Sequence, residues 1–243
     1  MVDNIAAPAQ QSLWRRLEAR LLPHVCRLCG AGSELLMDLC PGCLQDLPHN
    51  RRPCPHCANP LPPGTPAHSP CADCARNGRP AWIDRILCPL VYDFPVDRLL
   101  LGLKFHQDLA AGRLLGELMA ASPQLSERPV EAIVPVPLDW RRRIWRGFNQ
   151  AQELARPLRR ASGIPIRPGL LRRRGGAEPQ ARLPLKKRRG NIRGRFHCPR
   201  RPPARVAILD DVVTSASTVS EAARALRIAG AEYIEVWACA RTP

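Results

Sequence analysis

The chain has 243 residues, 45% of them hydrophobic and 5% aromatic, and a net charge of +16. That length holds one ordinary domain and a small satellite, its apolar share fills a sizeable core, and so few aromatics exclude long stacking surfaces as the main theme. No apolar run approaches the ~18 residues that a membrane span needs, so no membrane insertion is expected.

Residues 1–21 read as a lead helix. Asp3 comes early and no apolar core precedes a cleavage site, so the start is not a secretory signal and the expected location is cytoplasmic. Eleven cysteines in such a chain argue for metal binding rather than disulfides. Four Cys-x-x-Cys pairs follow within 49 residues: Cys26/Cys29, Cys40/Cys43, Cys54/Cys57 and Cys71/Cys74. Ten residues separate the first two pairs and thirteen the last two. A Cys-x-x-Cys turn sets two thiolates on one side of a knuckle, and two knuckles close a tetrahedral shell around structural zinc. The connecting segments are too short and proline-rich to bury a core, so metal must supply folding energy. Sequential pairing makes residues 22–80 a double zinc ribbon. Cross-braced pairing and a single zinc remain open, as does His56 as a substitute ligand. Cys88 and Cys239 lie in apolar, strand-like stretches and read as core; Cys198 has no assigned role.

From residue 81 the pattern changes. Ile83 to Tyr92 reads as a strand, and Val96, Leu99, Leu100 and Leu103 mark one helix face. A second helix runs from Leu109 to Met119. Ala132 to Pro137 is a short apolar strand stopped by prolines, Arg205 to Leu209 another, and Tyr233 to Ala240 a third. Strands alternating with helices imply an α/β fold whose mostly parallel sheet is covered on both faces.

Between Asp139 and Arg205 lie 21 Lys and Arg against 3 acidic residues, more than the whole positive surplus of the chain. That segment is built to meet an anion: phosphate, pyrophosphate or nucleic acid. The most informative stretch follows it, from Val206 through Asp210, Asp211, Val212, Val213, Thr214, Ser215, Ala216 and Ser217 to Thr218. A buried strand ends in two carboxylates, then a hydroxyl-rich turn opens a helix with Val219, Ala222, Ala223 and Leu226 on one face and a stop at Gly230. Ligands bind such sheets at the carboxyl ends of strands. A phosphate suits the free N–H groups at the helix start, and adjacent carboxylates suit the two hydroxyls of a ribose. A ribose diol beside a 5′-phosphate describes phosphoribosyl pyrophosphate (PRPP).

This string resembles the PRPP-binding signature of type I phosphoribosyltransferases, and the surrounding sequence resembles the bacterial ComF family. Further matches occur at Leu103-Lys104-Phe105, at Val134 to Leu138, at Arg146-Gly147-Phe148-Asn149-Gln150, and at Gln180, Leu183, Arg188, Asn191, Gly194 and Phe196. The resemblance implies a Rossmann-like phosphoribosyltransferase fold over residues 81–243, with PRPP or a related phosphoribosyl ligand and its Mg²⁺. It implies pyrophosphate contacts from Val136, Pro137, Arg141, Arg142 and Arg146, and a flap over Arg172 to Phe196. Asp210 and Asp211 would hold the diol and share the charge that develops in catalysis. The family pattern has a glycine where this chain has Ala216, a position that favours φ > 0, so alanine costs about 1 kcal/mol there. The family also implies DNA uptake or use of extracellular DNA, with single-stranded DNA and competence or DNA-processing proteins as partners. Trp140, Trp145 and Phe148, set among arginines, are candidates for base stacking. The alternatives are an active phosphoribosyltransferase with an unknown nitrogen acceptor and a non-catalytic PRPP-sensing adaptor.

Overall fold

The computed structural model describes residues 24–66, 68–125, 128–173 and 194–243, the side chains of 141–143 excepted. The expected lead helix, the side chains of Arg141 and Arg142, and Gln180, Leu183, Arg188 and Asn191 lie outside the described residues. No helix among the described residues is long and apolar enough to cross a membrane.

Two short antiparallel strands, β1 (His24–Val25) and β2 (Gly32–Ser33), and two short helices, α1 (Pro41–Gln45) and α2 (Ala72–Asn77), make up the cysteine-rich part. The remainder is an α/β sandwich around a parallel sheet. Its strands are β3 (Arg85–Leu87), β4 (Leu90–Val91), β5 (Ala132–Pro135), β8 (Arg205–Val213) and β9 (Tyr233–Arg241). A two-stranded ribbon, β6 (Arg172–Arg173) with β7 (Phe196–His197), stands apart. The sheet order is β3-β9-β8-β5, with β4 also on β9 and every pairing parallel.

The expected strand from Ile83 to Tyr92 is one strand broken in two. Arg85↔Glu235 and Leu90↔Ala240 share one register, and Cys88-Pro89 interrupts it. Proline has no N–H to give the ladder, which explains the gap.

The period-two alternation of β8 sorts the core. Ala207 and Leu209 pack with Leu99, Leu100, Leu114, Leu115, Leu154 and Leu158. These come from α3 (Val96–Phe105), α4 (Leu109–Ala120) and α6 (Gln150–Ser162). Val206 and Ile208 pack on the other face with Val219, Ala222, Ala223 and Leu226 of α7 (Ser217–Ile228). Each such Leu, Ile or Val contributes about 1.5–3 kcal/mol on burial. Helices α4 and α6 approach closely at Gly116, where a Cβ would stand 2.8 Å from the Leu154 carbonyl oxygen.

The cysteine-rich part straddles the open edge of this sheet. Cys26, Leu39, Leu44 and Leu47 join the core on one face, and Cys54, Cys57, Ala58, Cys71 and Cys74 join it on the other. Asn50 sits between them, 2% exposed. Its N–H donates to Pro89 O at 2.8 Å, and its Nδ2 donates to Ala58 O at 2.8 Å and Cys88 O at 3.1 Å. Val91 N donates to Pro48 O at 2.7 Å. The edge strand is thereby paired rather than exposed.

Among the described residues, one charged side chain has no solvent exposure at all. Glu235 on β9 accepts from Arg128 Nε at 3.1 Å and from Arg128 Nη2, from Tyr233 Oη at 2.9 Å and from Trp237 Nε1 at 2.8 Å. Burial alone would raise its pKa, but these bonds overcome that and hold it below its ordinary 4.5. The stability it contributes is therefore complete above that value and lost as pH falls through the folded pKa. Glu235→Gln should cost about 1–3 kcal/mol at neutral pH, and its deficit against wild type should shrink on acidification. Paired thermal melts from neutral to acid pH measure this; a deficit that stays constant contradicts it.

Candidate functional site

The eight cysteines form two sets, Cys26/Cys29/Cys40/Cys43 and Cys54/Cys57/Cys71/Cys74, with the sulfurs of each set within 4.8 Å of one another. Pairing is sequential rather than cross-braced, and His56 belongs to neither set. Cys29 Sγ lies 3.7 Å from Cys40 Sγ, and Cys57 Sγ lies 3.6 Å from Cys71 Sγ. A tetrahedron with Zn–S bonds of about 2.3 Å has edges of about 3.8 Å, so both sets fit zinc, and four thiolates leave no open position for catalysis. Local folding aims the ligands. Cys40 and Cys71 are the N-caps of α1 and α2, each accepting from the N–H three residues on at 3.5 Å. Without the metal's charge each set shares its protons unevenly: against their burial, backbone N–H groups pull Cys26 and Cys54 down to about 6 and about 7, while burial and neighbouring thiols push Cys43, Cys57 and Cys74 up. Cys88 and Cys239 are fully buried core residues, and Cys198 donates to Arg200 O at 2.9 Å.

A second site lies where the sheet splays. β5 hydrogen-bonds β8 only as far as Leu209, ending with Val136 N to Leu209 O at 2.9 Å. β9 continues alongside to Val213. The strand thus runs four residues beyond the expected end at Leu209, and Asp210 and Asp211 stand on it where one neighbour has left. The crevice encloses about 570 Å³ and is lined by Lys104, Phe105, Val136, Pro137, Leu138, Trp145, Arg146, Asn149, Gln150, Ala151, Arg173, Phe196, Asp210, Asp211 and Thr218.

Each carboxylate is partly used. Asp210 Oδ1 accepts from Asp211 N at 2.9 Å, Asp211 Oδ1 from Val212 N at 2.7 Å, and Asp211 Oδ2 lies 3.0 Å from Lys104 Nζ. Burial, then the neighbouring Asp211, push Asp210 up to about 8. Beyond them Val212 packs on one face of the sheet and Val213 on the other. Thr214 and Ser215 are exposed, and Ser215 Oγ lies 2.9 Å from Ser217 Oγ. Ala216 is the N-cap of α7 at φ 56°, ψ 3°, with no side-chain cap. The first N–H groups of α7 therefore lack the usual capping oxygen, beside Thr218 in the crevice wall.

The opposite wall comes from α5 (Trp140–Arg146) and the start of α6. Gly147 turns between them at φ 75°. Asn149 caps α6, accepting from Ala151 N at 3.0 Å, and donates through Nδ2 to Val136 O at 3.0 Å, so it locks the loop after β5 to the helix. Gln150 is 2% exposed. Phe148 is half-buried and is not a lining residue. The Arg146 guanidinium lies over the rings of Phe105 at 5.2 Å and Trp145 at 5.9 Å. Arg173 and Phe196 stand at the two ends of the expected flap, whereas the sequence assigned no role to Lys104 or Phe105. The three-residue match at Leu103-Lys104-Phe105 was the available signal for the latter two, but only the docking of α3 against β8 shows what it faces.

The double zinc ribbon domain family matches residues 17–89 of this chain. Competence protein F of Haemophilus influenzae is 33% identical over 180 residues, which are 70% of this chain and 78% of that protein. DNA utilization protein YhgH of Escherichia coli K12 is 31% identical over 229 residues, 91% of this chain and 98% of that protein. Its Salmonella typhimurium namesake is 32% identical over 229 residues, 90% of each.

Zinc analysis of purified protein should find two ions per chain, and Cys26→Ser and Cys54→Ser should each remove one; a single ion in the wild type contradicts the two-cluster geometry. The left-handed backbone at Ala216 costs about 1 kcal/mol, and glycine returns part of any gain through unfolded-state entropy. Ala216→Gly should therefore stabilise the protein by roughly 0.5 kcal/mol in denaturant titrations, and a clear destabilisation contradicts the positive φ.

Proposed function

The chain belongs to the ComF family, and from that premise we propose that it binds a phosphoribosyl ligand at Asp210 and Asp211 and serves DNA uptake or the use of extracellular DNA. The observation that carries the reading is the crevice itself. Two adjacent carboxylates, an uncapped helix N-terminus and a cationic wall converge on about 570 Å³. The carboxylates accept the ribose hydroxyls. Residues 212–218 take the 5′-phosphate on backbone N–H groups and on the hydroxyls of Thr214, Ser215, Ser217 and Thr218. Val136, Pro137 and Arg146 face the pyrophosphate, with Arg141 and Arg142 as further cations, and Mg²⁺ arrives with the ligand. On this reading residues 22–80 form the ribbon unit and 81–243 the unit that holds the ligand. Pyrophosphate release with a nitrogen acceptor would make the site an enzyme; binding without release would make it a sensor.

The DNA half of the proposal rests on α5. Trp140 is 55% exposed, Ile144 74% and Trp145 67%, on a helix of sequence Trp-Arg-Arg-Arg-Ile-Trp-Arg at the crevice mouth. Exposed indoles among arginines offer stacking and phosphate contacts to a single strand without sequence preference. The curated relatives carry the names competence protein and DNA utilization protein, which agrees with that use.

Calorimetric titration of zinc-loaded protein with Mg–PRPP should show saturable binding that Asp210→Asn/Asp211→Asn weakens by about tenfold or more. Anisotropy of a labelled single-stranded oligonucleotide should report binding that falls with salt and weakens by about 1–3 kcal/mol in Trp145→Ala. A wild-type protein that binds no PRPP overturns the phosphoribosyl assignment, and a salt-independent or Trp145-independent affinity overturns the DNA surface.

A further inference from the structure

Lys104 closes the last turn of α3 with its ammonium 3.0 Å from Asp211 Oδ2, and the two side chains are only 21% and 14% exposed. Two demands collide at that contact. A ribose hydroxyl needs the Asp211 lone pairs that the ammonium engages. A ligand carrying a diphosphate brings further negative charge against Asp211, and so needs a cation close by. One movement satisfies both, if the ammonium leaves the carboxylate for the diphosphate as the hydroxyl takes its place. Lysine suits such an exchange, being a compact charge on a flexible four-carbon stem. The crevice's two lining arginines are oriented differently, each with its guanidinium over an aromatic ring, Arg146 over Phe105 and Trp145 and Arg173 over Phe196. The same crevice holds an unspent donor. Gln150 is 2% exposed, and its Nε2 has no hydrogen-bond partner among the described residues. A buried amide donor left unmatched within the protein calls for an acceptor oxygen from the ligand.

We propose that Lys104 is an exchangeable counter-ion, paired with Asp211 in the free protein and with the ligand's diphosphate in the complex, where the Gln150 amide joins it. The inference rests on the phosphoribosyl reading above and extends it. It makes Lys104 the residue by which the site prefers PRPP to ribose 5-phosphate, which offers the same diol and 5′-phosphate without the leaving group.

The test is calorimetry of wild type, Lys104→Met and Lys104→Arg with Mg–PRPP and, separately, with ribose 5-phosphate. Zinc content and melting temperature of each variant serve as the check of folding. Loss of one charge-assisted bond predicts that Lys104→Met weakens PRPP binding by about tenfold or more and ribose 5-phosphate binding by less than about threefold. Lys104→Arg, which keeps the charge, should retain more PRPP affinity than the Met variant. Parallel losses for both ligands would mean that Lys104 only neutralises Asp211, and would overturn the proposal. So would an unchanged PRPP affinity in Lys104→Met, or an Arg variant no better than Met. A wild type that binds neither ligand is a separate result, which removes the phosphoribosyl reading and this inference with it.

Discussion

The architecture turns on an unequal pairing. β8 loses its partner β5 after Leu209 but keeps β9 to Val213. Had both neighbours ended together, Asp210 and Asp211 would have fallen in a free loop. Had both continued, their side chains would have been packed under a sheet. Instead they are held on regular backbone with one flank open, and the loop that departs with β5 supplies the facing wall. Asn149 pins that loop to the start of α6 by its bond to Val136 O, so the facing wall is held together as one piece. The zinc ribbon covers β3 and β4, the strands on the other side of β9, and so closes the opposite edge of the sheet.

Two treatments of buried charge distinguish scaffold from site. Glu235 is surrounded by donors from Arg128, Tyr233 and Trp237, and its pKa is lowered in spite of its burial. Asp210 lies a few residues away across the β8–β9 ladder and has no such set, so burial beside Asp211 raises its pKa to about 8. A pair of carboxylates under-supplied with donors costs stability, and it is tolerated where a ligand completes it. The positive φ at Ala216 belongs to the same class, a local cost borne at the start of the helix that faces the crevice.

Much of this was legible in the sequence because the relevant signals are local. Cys-x-x-Cys spacing identified the eight ligands, and the period of Val96, Leu99, Leu100 and Leu103 identified the buried face of α3. The length of β8 was not legible. Asp-Asp reads as the end of a strand, and only the register with β9 carries the ladder on to Val213. The zinc pairing needed three dimensions, since spacing alone allows cross-bracing. Lys104 lay hidden for a related reason: it is separated from Asp211 by more than a hundred residues, and an amphipathic helix gives no sign of which strand its last turn will abut. Arg173 and Phe196 fall within the expected flap, but only the pairing of β6 with β7 shows that they line the crevice.

The most direct measurement is a crystal structure of the zinc-loaded protein with Mg–PRPP. The account predicts the ribose diol within hydrogen-bond distance of Asp210 and Asp211, and the 5′-phosphate on the backbone of residues 212–218. A ligand seated elsewhere, or one whose diol points away from both carboxylates, would contradict it.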